Sequence, residues 1–489
     1  MDTKALRQKI LDLAIRGKLV PQDPNDEPAS VLLERIRAEK QQMVKEGKLK
    51  AKDIKNDTVI FKGDDNLHYE QLQDGTINEY ENELPFEIPS KWVWCNLGML
   101  FSHNTGKALN ASKTDGVSLT YITTSNVYWN SFELDNLKIM PFTDSEIEKC
   151  TVKKGDLLVC EGGDIGRAAI WQFENEIRIQ NHLHRLRPYD RIYTKFYYYI
   201  MYLYKANGRI NGNGIGLQGL SSNALHNIIV PVPPVEEQKR IVDSIDSVLS
   251  LIEQIESHKQ SLSSQIDNIK SKILDLAIRG KLVPQDPNDE PASVLLERIR
   301  AEKEELVKQG KIKRDKKESV IFKGDDNSYY EKYGEKVSSG WVVTNFETLL
   351  EYEQPTKYIV SDTNYKPTYN TPVLTAGKSF ILGHTNETDN IFDDLPVIIF
   401  DDFTTESKFV DFPFKVKSSA MKILHINQDF VLPKYAFYLM QATDIDHDNH
   451  QRYWISTYSQ EIVALPPINE QERILTTLER YYNLLDTLQ

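Results

Sequence analysis

The sequence predicts an α+β protein in which two mixed α/β domains are separated by long antiparallel coiled-coil helices, in a pseudo-two-fold circular arrangement. Three observations predict this fold: an internal duplication, a long helical seam at the centre of the chain, and two unlike segments with short strand patterns. The stretch from Lys9 to Lys40 recurs letter for letter from Lys272 to Lys303. Identity over so long a run indicates a duplicated scaffold.

The duplication is circularly permuted. When the two copies are aligned, Gln489 falls opposite Glu256 and Met1 falls opposite Ser264. The two termini together therefore nearly rebuild the central segment and lack only about seven of its residues. If the terminal helices lie end to end, one chain acquires a pseudo-two-fold axis. Such symmetry suits a pseudo-palindromic target or a pair of identical partners.

The central segment is predicted to be one helix from Glu236 to Arg279, about 65 Å long. Its apolar residues are spaced four and three apart, as in the seam of a coiled coil. The seam residues are Ile241, Ile245, Val248, Ile252, Ile255, Lys259, Leu262, Ile266, Ile269, Ile273 and Leu276. Gly280 is a plausible C′ residue that ends the helix. The alternative is a helix that packs only on its own domain, but the same seam recurs in both termini.

Composition excludes several classes of protein. The 489 residues include three cysteines without CxxC spacing, so neither a disulfide framework nor a zinc site is indicated. The charged start is unlike a signal peptide, and no apolar run is long enough for a membrane span. We therefore expect a soluble protein of a reducing compartment, without a membrane partner.

The net charge of −13 argues against a simple DNA-binding protein. The charge is uneven, however, because residues 90–230 carry about 15 Lys and Arg against 12 Asp and Glu, whereas residues 341–463 carry about 9 against 17. Phosphate contact requires local positive charge, not a basic chain. The second segment is therefore expected to need help from a partner to hold DNA.

The first unlike segment is predicted to present a glycine turn and a basic cluster to DNA. The run from Gly155 to Arg167 ends a strand in a glycine turn, where backbone can approach a ligand and Arg167 can pair with guanine or phosphate. The alternative is a tight hairpin with a solvated arginine. The glycine-rich stretch 211–220 is read as a loop that leads into a short helix near Ser221. The candidate DNA contacts are Ser125, Asn126, Gly162, Gly163, Arg167, Asn181, His182, His184 and Arg185.

The second unlike segment is predicted to contain strands that end in polar turns. Its candidate DNA contacts are Thr375, Gly377, Lys378, Asp401, Asp402, Thr404, Thr405, Lys408 and Lys417. An Asx-type turn that closes a strand is the alternative for Asp401 and Asp402. A different hypothesis is a metal-dependent nuclease acting through Asp402, Glu406 and Lys408. A scaffold without a DNA role is a third.

The repeated frame, the two unlike segments, the PPxxEQxRI sequence before each long helix and the LAIRGKLVPQDPNDEPAS block resemble the specificity subunits of type I restriction–modification systems. The resemblance covers essentially the whole chain. It implies two target-recognition domains at 85–232 and 341–465. Around them it implies conserved regions at 1–84 (helical, with a linker), 233–340 (the coiled-coil helix and a linker) and 466–489 (the C-terminal helix).

The resemblance also implies the function and the partners. Each domain would read one half of a bipartite site in double-stranded DNA, and the conserved helices would recruit two copies of the modification (methylase) subunit. That partner would hold S-adenosylmethionine and methylate adenine, and restriction subunits using ATP and Mg²⁺ would cleave DNA. This chain would be non-catalytic and would bind no cofactor or metal itself. Flipping of the target base would fall to the partner.

The repeated block is predicted to dock the modification subunits. Each copy starts as a Pro/Asp-rich turn and continues as an amphipathic helix. The proposed docking residues are Val31, Leu32 and Ile36 in the first copy and Val294, Leu295 and Ile299 in the second. Identity of the two copies suits a shared partner. The alternative is a helix that buttresses the coiled coil.

Overall fold

The computed structural model describes residues 2–109, 115–189, 191–210, 219–310, 338, 340–377, 379–428, 431–443 and 453–488, with the side chains of 295, 296, 299, 300, 303, 455 and 456 left aside. These residues form two compact units, Met1–Ser257 and His258–Gln489. The boundary falls inside the long central helix, so each unit contains half of it. No helix in the described part of the chain has the length and apolar character needed to cross a bilayer.

The first unit contains helices and short strands that alternate along the chain. Its helices are α1 (Thr3–Ile15), α2 (Ala29–Lys45), α3 (Ala51–Ile54), α4 (Leu97–Leu100), α5 (Asp144–Cys150), α6 (Thr194–Ala206), α7 (Ser222–His226) and the first half of α8 (Val235–Ile278). Its strands are β1 (Thr58–Lys62), β2 (His68–Leu72), β3 (Ile77–Glu79), β4 (Val93–Asn96), β5 (Phe101–Thr105), β6 (Val117–Ile122), β7 (Val127–Tyr128), β8 (Ser131–Phe132), β9 (Lys138–Phe142), β10 (Thr151–Val152), β11 (Leu157–Cys160), β12 (Ala168–Ile170), β13 (Ile177–Ile179), β14 (Leu183–Pro188) and β15 (Ile229–Val232).

The second unit begins with the other half of α8. Its further helices are α9 (Ala292–Lys308), α10 (Phe346–Leu349), α11 (Pro433–Gln441), α12 (Tyr453–Ser456) and α13 (Ile468–Asp486). Its strands are β16 (Val342–Asn345), β17 (Leu350–Glu353), β18 (Thr371–Leu374), β19 (Ile381–Thr385), β20 (Val397–Asp401), β21 (Ser407–Val410), β22 (Lys415–Val416), β23 (Met421–Ile426) and β24 (Ile462–Leu465). The predicted strands around Val159, Ala169, Val373 and Ile399 are thus confirmed, as is the short helix after Ser221.

The two unlike segments share one topology. We call residues 93–232 head 1 and residues 342–465 head 2. The antiparallel sheet β12-β11-β14-β5 of head 1 has its counterpart in the sheet β21-β20-β23-β17 of head 2. In a second sheet, β6 runs parallel to β13 and antiparallel to β9, just as β18 runs parallel to β22 and antiparallel to β19. Strand pairing tolerates many sequences provided that the buried faces stay apolar, so unlike sequences can adopt it.

A short helix packs antiparallel against α8 in each unit. In the first unit the Arg7 guanidinium on α1 donates to Glu256 at 2.8 Å, and Gln22, just beyond α1, donates to Glu237 at the start of α8. In the second unit the Tyr482 hydroxyl on α13 donates to the carbonyl of Lys270 at 3.1 Å. Antiparallel pairing of helices, expected from the seam in the termini, is therefore present inside each unit. The circular arrangement of the whole chain stays a prediction.

The predicted seam of α8 is covered only in part. Ile241, Ile245, Ile252 and Ile266 are buried, whereas Ile255, Leu262, Ile269 and Leu276 are exposed. The helix has 44 residues but its mates have 13 and 19, or about 66 Å against about 20 and 28 Å. Two short helices cannot cover so long a seam. The exposed stretch between Ile255 and Leu262 coincides with the gap of about seven residues left when the termini are aligned on the centre.

Equivalent glycines end the first helix of each repeat. Gly17 and Gly280 have φ of +66° and +64°, and α8 ends at Ile278, one residue short of the prediction. A Cβ on Gly17 would lie 2.5 Å from Pro89, and one on Gly280 would lie 2.4 Å from Ser338. Conformation and close packing both exclude larger side chains at these two positions.

A polar anchor fastens head 1 to the start of α8. The buried Glu237 carboxylate accepts from the Trp92 indole at 2.9 Å, just before β4. Gln238 donates to the carbonyl of Pro233, just after β15, at 2.9 Å and accepts from the backbone N–H of Tyr193 at 3.1 Å. Both chain ends of the head are thus held by consecutive residues of one helix. A further ion pair, Arg240–Asp26, ties the repeated block to the same turn.

The second unit repeats the glutamine bonds and the ion pair of this anchor. Arg473 pairs with Asp289 at 2.7 Å, as Arg240 pairs with Asp26. Gln471 donates to the carbonyl of Pro466 at 3.0 Å and accepts from the backbone N–H of Leu432 at 2.9 Å. The two copies of the frame therefore share the glutamine bonds and the ion pair, whereas the indole bond of Trp92 to Glu237 is not repeated by Trp341 and Glu470.

The predicted docking residues of α2 lie in the core. Leu32 and Ile36 are 2% and 1% exposed and pack in a cluster with residues of α1, α8 and head 1, while Val31 is half-buried. The docking prediction is therefore wrong for Leu32 and Ile36, and the alternative of a buttressing helix accounts for them. Val294 in α9 is also half-buried, and the side chains of Leu295 and Ile299 lie outside the described residues.

The buried position of Leu32 makes a testable prediction. Replacement by Ala should lower the free energy of unfolding by roughly 2–5 kcal/mol, because a cavity would remain in a well-packed core. Val31→Ala on the same helix is the control, and its loss should be much smaller. Urea unfolding followed by tryptophan fluorescence measures both. Equal losses in the two variants would contradict the assignment of Leu32 to the core.

Candidate nucleic-acid interface

Three turns of head 1 meet at one edge of its two sheets. We call this edge A: the 3-10 turn Thr124–Asn126, the turn 161–167 and the turn 180–182. The backbone N–H of Glu161 donates to the carbonyl of His182 at 2.9 Å, and Gln180 donates to the carbonyl of Ile122 at 3.0 Å. Strand pairing thus brings together residues that are far apart in the sequence. Most of the candidate contacts of head 1 lie on these turns.

Head 2 places the corresponding turns at the corresponding edge. Edge B consists of residues 375–377, 379–380, 401–406 and 417–420. The backbone N–H of Lys417 donates to the carbonyl of Leu374 at 3.1 Å, and that of Asp402 donates to the carbonyl of Ala420 at 3.2 Å. Each turn of edge B follows the strand that is equivalent to the one preceding its counterpart in edge A. The same fold therefore presents two different sets of side chains.

Arg167 is held at edge A by contacts with a backbone carbonyl and an aromatic ring. Its guanidinium donates to the carbonyl of Thr124 at 2.8 Å and lies 5.1 Å from the ring centre of Tyr128. Asp164 is 3.9 Å away, and Asp164 in turn pairs with Lys205 at 3.3 Å. The Arg167 side chain is 18% exposed, and its Nε is buried. This geometry fits recognition of a guanine edge or a phosphate.

Four other residues predicted to contact DNA lie at the surface of edge A. His182 is 57% exposed and its ring lies 3.3 Å from Glu161. Asn181 accepts from the Gln180 amide at 2.7 Å. Gly162 and Gly163 have open space where a Cβ would stand, which leaves room for close approach of a ligand. These residues are available at the surface.

Ser125 and Asn126 differ in availability. Ser125 is exposed. The Asn126 amide is used inside the protein: its oxygen accepts from the backbone N–H of Thr123 at 2.9 Å and its nitrogen donates to the carbonyl of Glu133 at 2.9 Å. Asn126 closes the segment 123–133, so its predicted contact with DNA is replaced by a structural role.

His184 and Arg185 are interior residues, contrary to the prediction. They are 0% and 3% exposed. The Arg185 guanidinium donates to the carbonyl of Thr151 at 2.7 Å and to that of Lys149 at 3.1 Å. His184 and Arg185 lie on the central strand β14, where one face is covered by the second sheet and the other packs in the cluster that contains α6. Their charge and polarity stabilise the head and are not offered to a ligand.

A histidine pair connects β14 to β5. His184 Nε2 lies 2.7 Å from the carbonyl oxygen of Leu220, so this nitrogen must carry a proton and donate. Its Nδ1 then accepts from His103 Nε2–H at 3.0 Å. Burial, and secondarily the charges of neighbouring histidines and Arg185, lower the pKa of His103 to about 3. The pair therefore stays neutral across the physiological range.

At edge B, Asp401 forms the Asx turn that was the alternative interpretation. Its carboxylate accepts from the backbone N–H groups of Phe403 at 2.9 Å and Thr404 at 3.0 Å. Thr405 closes the turn in the left-handed region with φ of +58°, which is unusual for a β-branched residue. The turn holds Thr404 and Phe403 at the surface. Thr404 keeps its candidate role, whereas Asp401 shapes the backbone.

Asp402 is buried, against the prediction of a DNA contact. Its side chain is 2% exposed, pairs with the equally buried Lys422 at 3.3 Å and accepts from the backbone N–H of Trp454 at 3.0 Å. The nuclease hypothesis required this carboxylate to hold a metal beside Glu406, but it already neutralises a lysine. Glu406 instead pairs with Lys408 at 3.7 Å. No group of acidic, His or Cys side chains suited to a metal ion occurs among the described residues.

Only part of the basic cluster of head 2 reaches solvent. Lys415 and Lys422 are 3% and 2% exposed and form internal ion pairs. Lys408 is 35% exposed in its side chain, and Lys417 is exposed. Lys417 is therefore available for phosphate at edge B, while Lys408, on β21 directly after the turn 401–406, is partly exposed and paired with Glu406. Thr375 and Gly377 are half-buried in the turn after β18, and Lys378 lies outside the described residues.

Sequence reasoning missed two residues that shape edge A. Tyr128 was not singled out, although it lies two residues after Asn126 in an exposed, aromatic stretch. His103 carries no signal in the sequence, because its partner His184 is brought to it by pairing of β5 with β14. Contacts of this kind depend on strand register, which local patterns do not specify.

The comparisons with known proteins agree with this geometry. Residues 89–263 match the family model of the type I restriction modification DNA specificity domain. Head 1 and the following half of α8 are thus similar to the DNA specificity domain of type I restriction modification systems.

Curated relatives extend the likeness beyond head 1. The chain is 31% identical over 364 residues to the type I restriction enzyme EcoAI specificity subunit and 32% identical over 373 residues to that of EcoEI, both from Escherichia coli. Each alignment covers 64% of this chain, and 58% and 57% of the two relatives, so the chain spans somewhat less than two thirds of their length. The EcoR124I/EcoR124II specificity subunit is 44% identical over 164 residues, covering 32% of this chain and 40% of the relative.

A solved structure supports the fold. The chain superposes with a TM-score of 0.51 and 13% identity on a structure described as the basis of complex assembly and conformational transition of the type I R-M system, covering 83% of this chain and 93% of that one. The predicted resemblance to specificity subunits of type I restriction–modification systems is confirmed by these matches.

The buried Lys422 and the exposed Lys417 of head 2 make the first prediction of this interface. Lys422→Met should cost about 3–5 kcal/mol of stability, because it leaves the buried Asp402 carboxylate without its cation. Lys417→Met removes an exposed charge and should change stability by less than about 0.5 kcal/mol. Chemical unfolding of both variants measures the difference. A stable Lys422→Met protein would show that the buried pair has been misassigned.

The histidine pair makes a prediction about pH. His103 stays neutral in the folded protein, whereas the unfolded chain takes up a proton near its ordinary pKa of 6.5. Stability from this residue is therefore present above that pH and is lost as pH falls toward 3, by up to about 1.4 kcal/mol per unit. Urea unfolding at pH 7.5 and pH 5 should show a steeper loss for the native protein than for His103→Asn. Parallel losses would mean that His103 titrates normally when folded.

Proposed function

We propose that this chain is the sequence-reading specificity subunit of a type I restriction–modification complex. Each head binds one half of a bipartite site in double-stranded DNA, head 1 through edge A and head 2 through edge B. The observation that carries the proposal is the pair of heads with one topology, one anchor and different turn residues. A shared scaffold with unlike reading edges suits two unlike half-sites.

At edge A the contacts are assigned to Arg167, His182, Ser125 and the open glycine turn. At edge B they are assigned to Thr404, Lys408 and Lys417, with the turn after β18. The two lysines contact phosphate, and Arg167 reads a base edge. Because most lysines of head 2 are buried or paired, edge B depends on partner subunits for much of its affinity. This supports assembly before DNA binding.

The repeated frames recruit two copies of the modification subunit. The exposed face of α2 carries Glu34 and Arg35, and the same residues recur on α9 as Glu297 and Arg298. Arg35 pairs with Glu27 at 2.6 Å, and Arg298 repeats the pair with Glu290. Identical surfaces bind identical partners. Docking is therefore assigned to this polar face and not to the apolar residues beneath it.

The chemistry belongs to the partners in this proposal. The modification subunits supply S-adenosylmethionine and methylate adenine, and restriction subunits supply ATP- and Mg²⁺-dependent cleavage in the prokaryotic cytoplasm. The chain itself positions these subunits on DNA. The burial and pairing of Asp402 support this division, since they remove a carboxylate on which the nuclease alternative depended.

Methylation mapping in cells tests the proposal. Deleting the gene should abolish N6-methyladenine at one bipartite motif while the methylase is still produced. Arg167→Ala should relax methylation in one half of the motif, and Lys417→Met should lower occupancy without changing the bases selected, because phosphate contacts position and base contacts specify. Lys154→Met is the matched surface control in head 1, because Lys154 is 59% exposed, pairs with the exposed Glu174 and lies outside edge A. An unchanged methylation pattern after deletion, with an active system, would refute the proposed function.

A further inference from the structure

We infer that Tyr128 is a positioning residue that orients the Arg167 guanidinium for base recognition by head 1. The inference rests on the proposed function, in which Arg167 reads DNA. It assigns to Tyr128 the role of setting which base edge the arginine can address. The argument comes from the position of the ring, the rigidity of its segment and the exposure of the pair.

The Tyr128 ring and a backbone carbonyl both contact the Arg167 guanidinium. Arg167 lies 5.1 Å from the centre of the Tyr128 ring, and its Nη2 donates to the carbonyl of Thr124 at 2.8 Å. One contact limits the guanidinium to the face of the ring, and the other limits its rotation within that plane. An arginine side chain has many rotamers, so two such restraints reduce the entropy lost when it binds a ligand.

The segment that carries the ring is itself closed by hydrogen bonds. Val127 and Tyr128 pair with Phe132 and Ser131 in the hairpin β7–β8. The Asn126 amide bridges this hairpin from Thr123 to the carbonyl of Glu133. The carbonyl of Thr124 belongs to the same closed segment. Ring and carbonyl therefore form one preformed seat for Arg167, although Arg167 comes from the turn after β11.

Core packing does not account for Tyr128. Its ring is 43% exposed, and its hydroxyl reaches Glu133 at the long distance of 3.3 Å. Bidentate recognition of a guanine requires a fixed, planar donor fork, which is what the seat supplies.

The test uses the complex with its modification subunits and duplexes carrying the mapped motif or single base-pair changes within it. Dissociation constants are measured for the native protein, Tyr128→Phe, Tyr128→Leu, Arg167→Ala and the double variant. Tyr128→Leu should lower discrimination at the base pair read by Arg167 by about fivefold. Tyr128→Phe should keep it, since the ring face remains. The double variant should discriminate no worse than Arg167→Ala.

Phe173→Leu is the matched control, because Phe173 is 40% exposed in the same head and packs on Trp171 and not on a cation. It should leave discrimination unchanged. The inference is overturned if Tyr128→Leu acts equally in the presence and absence of Arg167, or if it weakens binding to all sequences alike. A failure of the proposed function looks different: Arg167→Ala itself would then leave discrimination in both half-sites unchanged.

Discussion

The polar anchor at the start of α8, and its equivalent at the start of α13, is the constraint on which the rest of the structure depends. Buried Glu237 and Gln238 hold both chain ends of head 1, and their equivalents Glu470 and Gln471 stand at the same place in the second unit. Burial raises the pKa of Glu237 above its ordinary value, although the Trp92 indole and Gln22 donate to it. A head held at both ends can change its turns without losing its orientation on the frame.

Within each head, charge has two separate uses. Buried basic groups such as Arg185, Lys415 and Lys422 stabilise the sheets by bonding to carbonyls or carboxylates, because a buried charge must be paired. Exposed groups such as Arg167 and Lys417 remain for a ligand. Head 2 is acidic overall, yet its stability depends on buried lysines that are paired. Fewer of its lysines are therefore available to DNA than its sequence suggests.

Periodic patterns in the sequence predicted the long elements well. The bounds of α8, the glycine at its end, the helix of the repeated block and the strands around Val159 and Ile399 all follow from local spacing and composition. It was less predictable which face of each element is covered and by what. Leu32 was expected at a docking surface and lies in the core, because an amphipathic pattern shows that a face is apolar without showing what covers it.

The sequence by itself determined the duplication, the two unlike heads and the family resemblance, since identity and spacing are one-dimensional properties. Tertiary structure alone decided which candidate residues meet at edges A and B. It buried His184 and Asp402. It also placed the Tyr128 ring against Arg167, which lies on a turn that is distant from Tyr128 in the chain. The physical reason is strand register: pairing of β14 with β5 and β11 sets which residues stand opposite one another, and a shift of one residue would exchange the two faces of a strand.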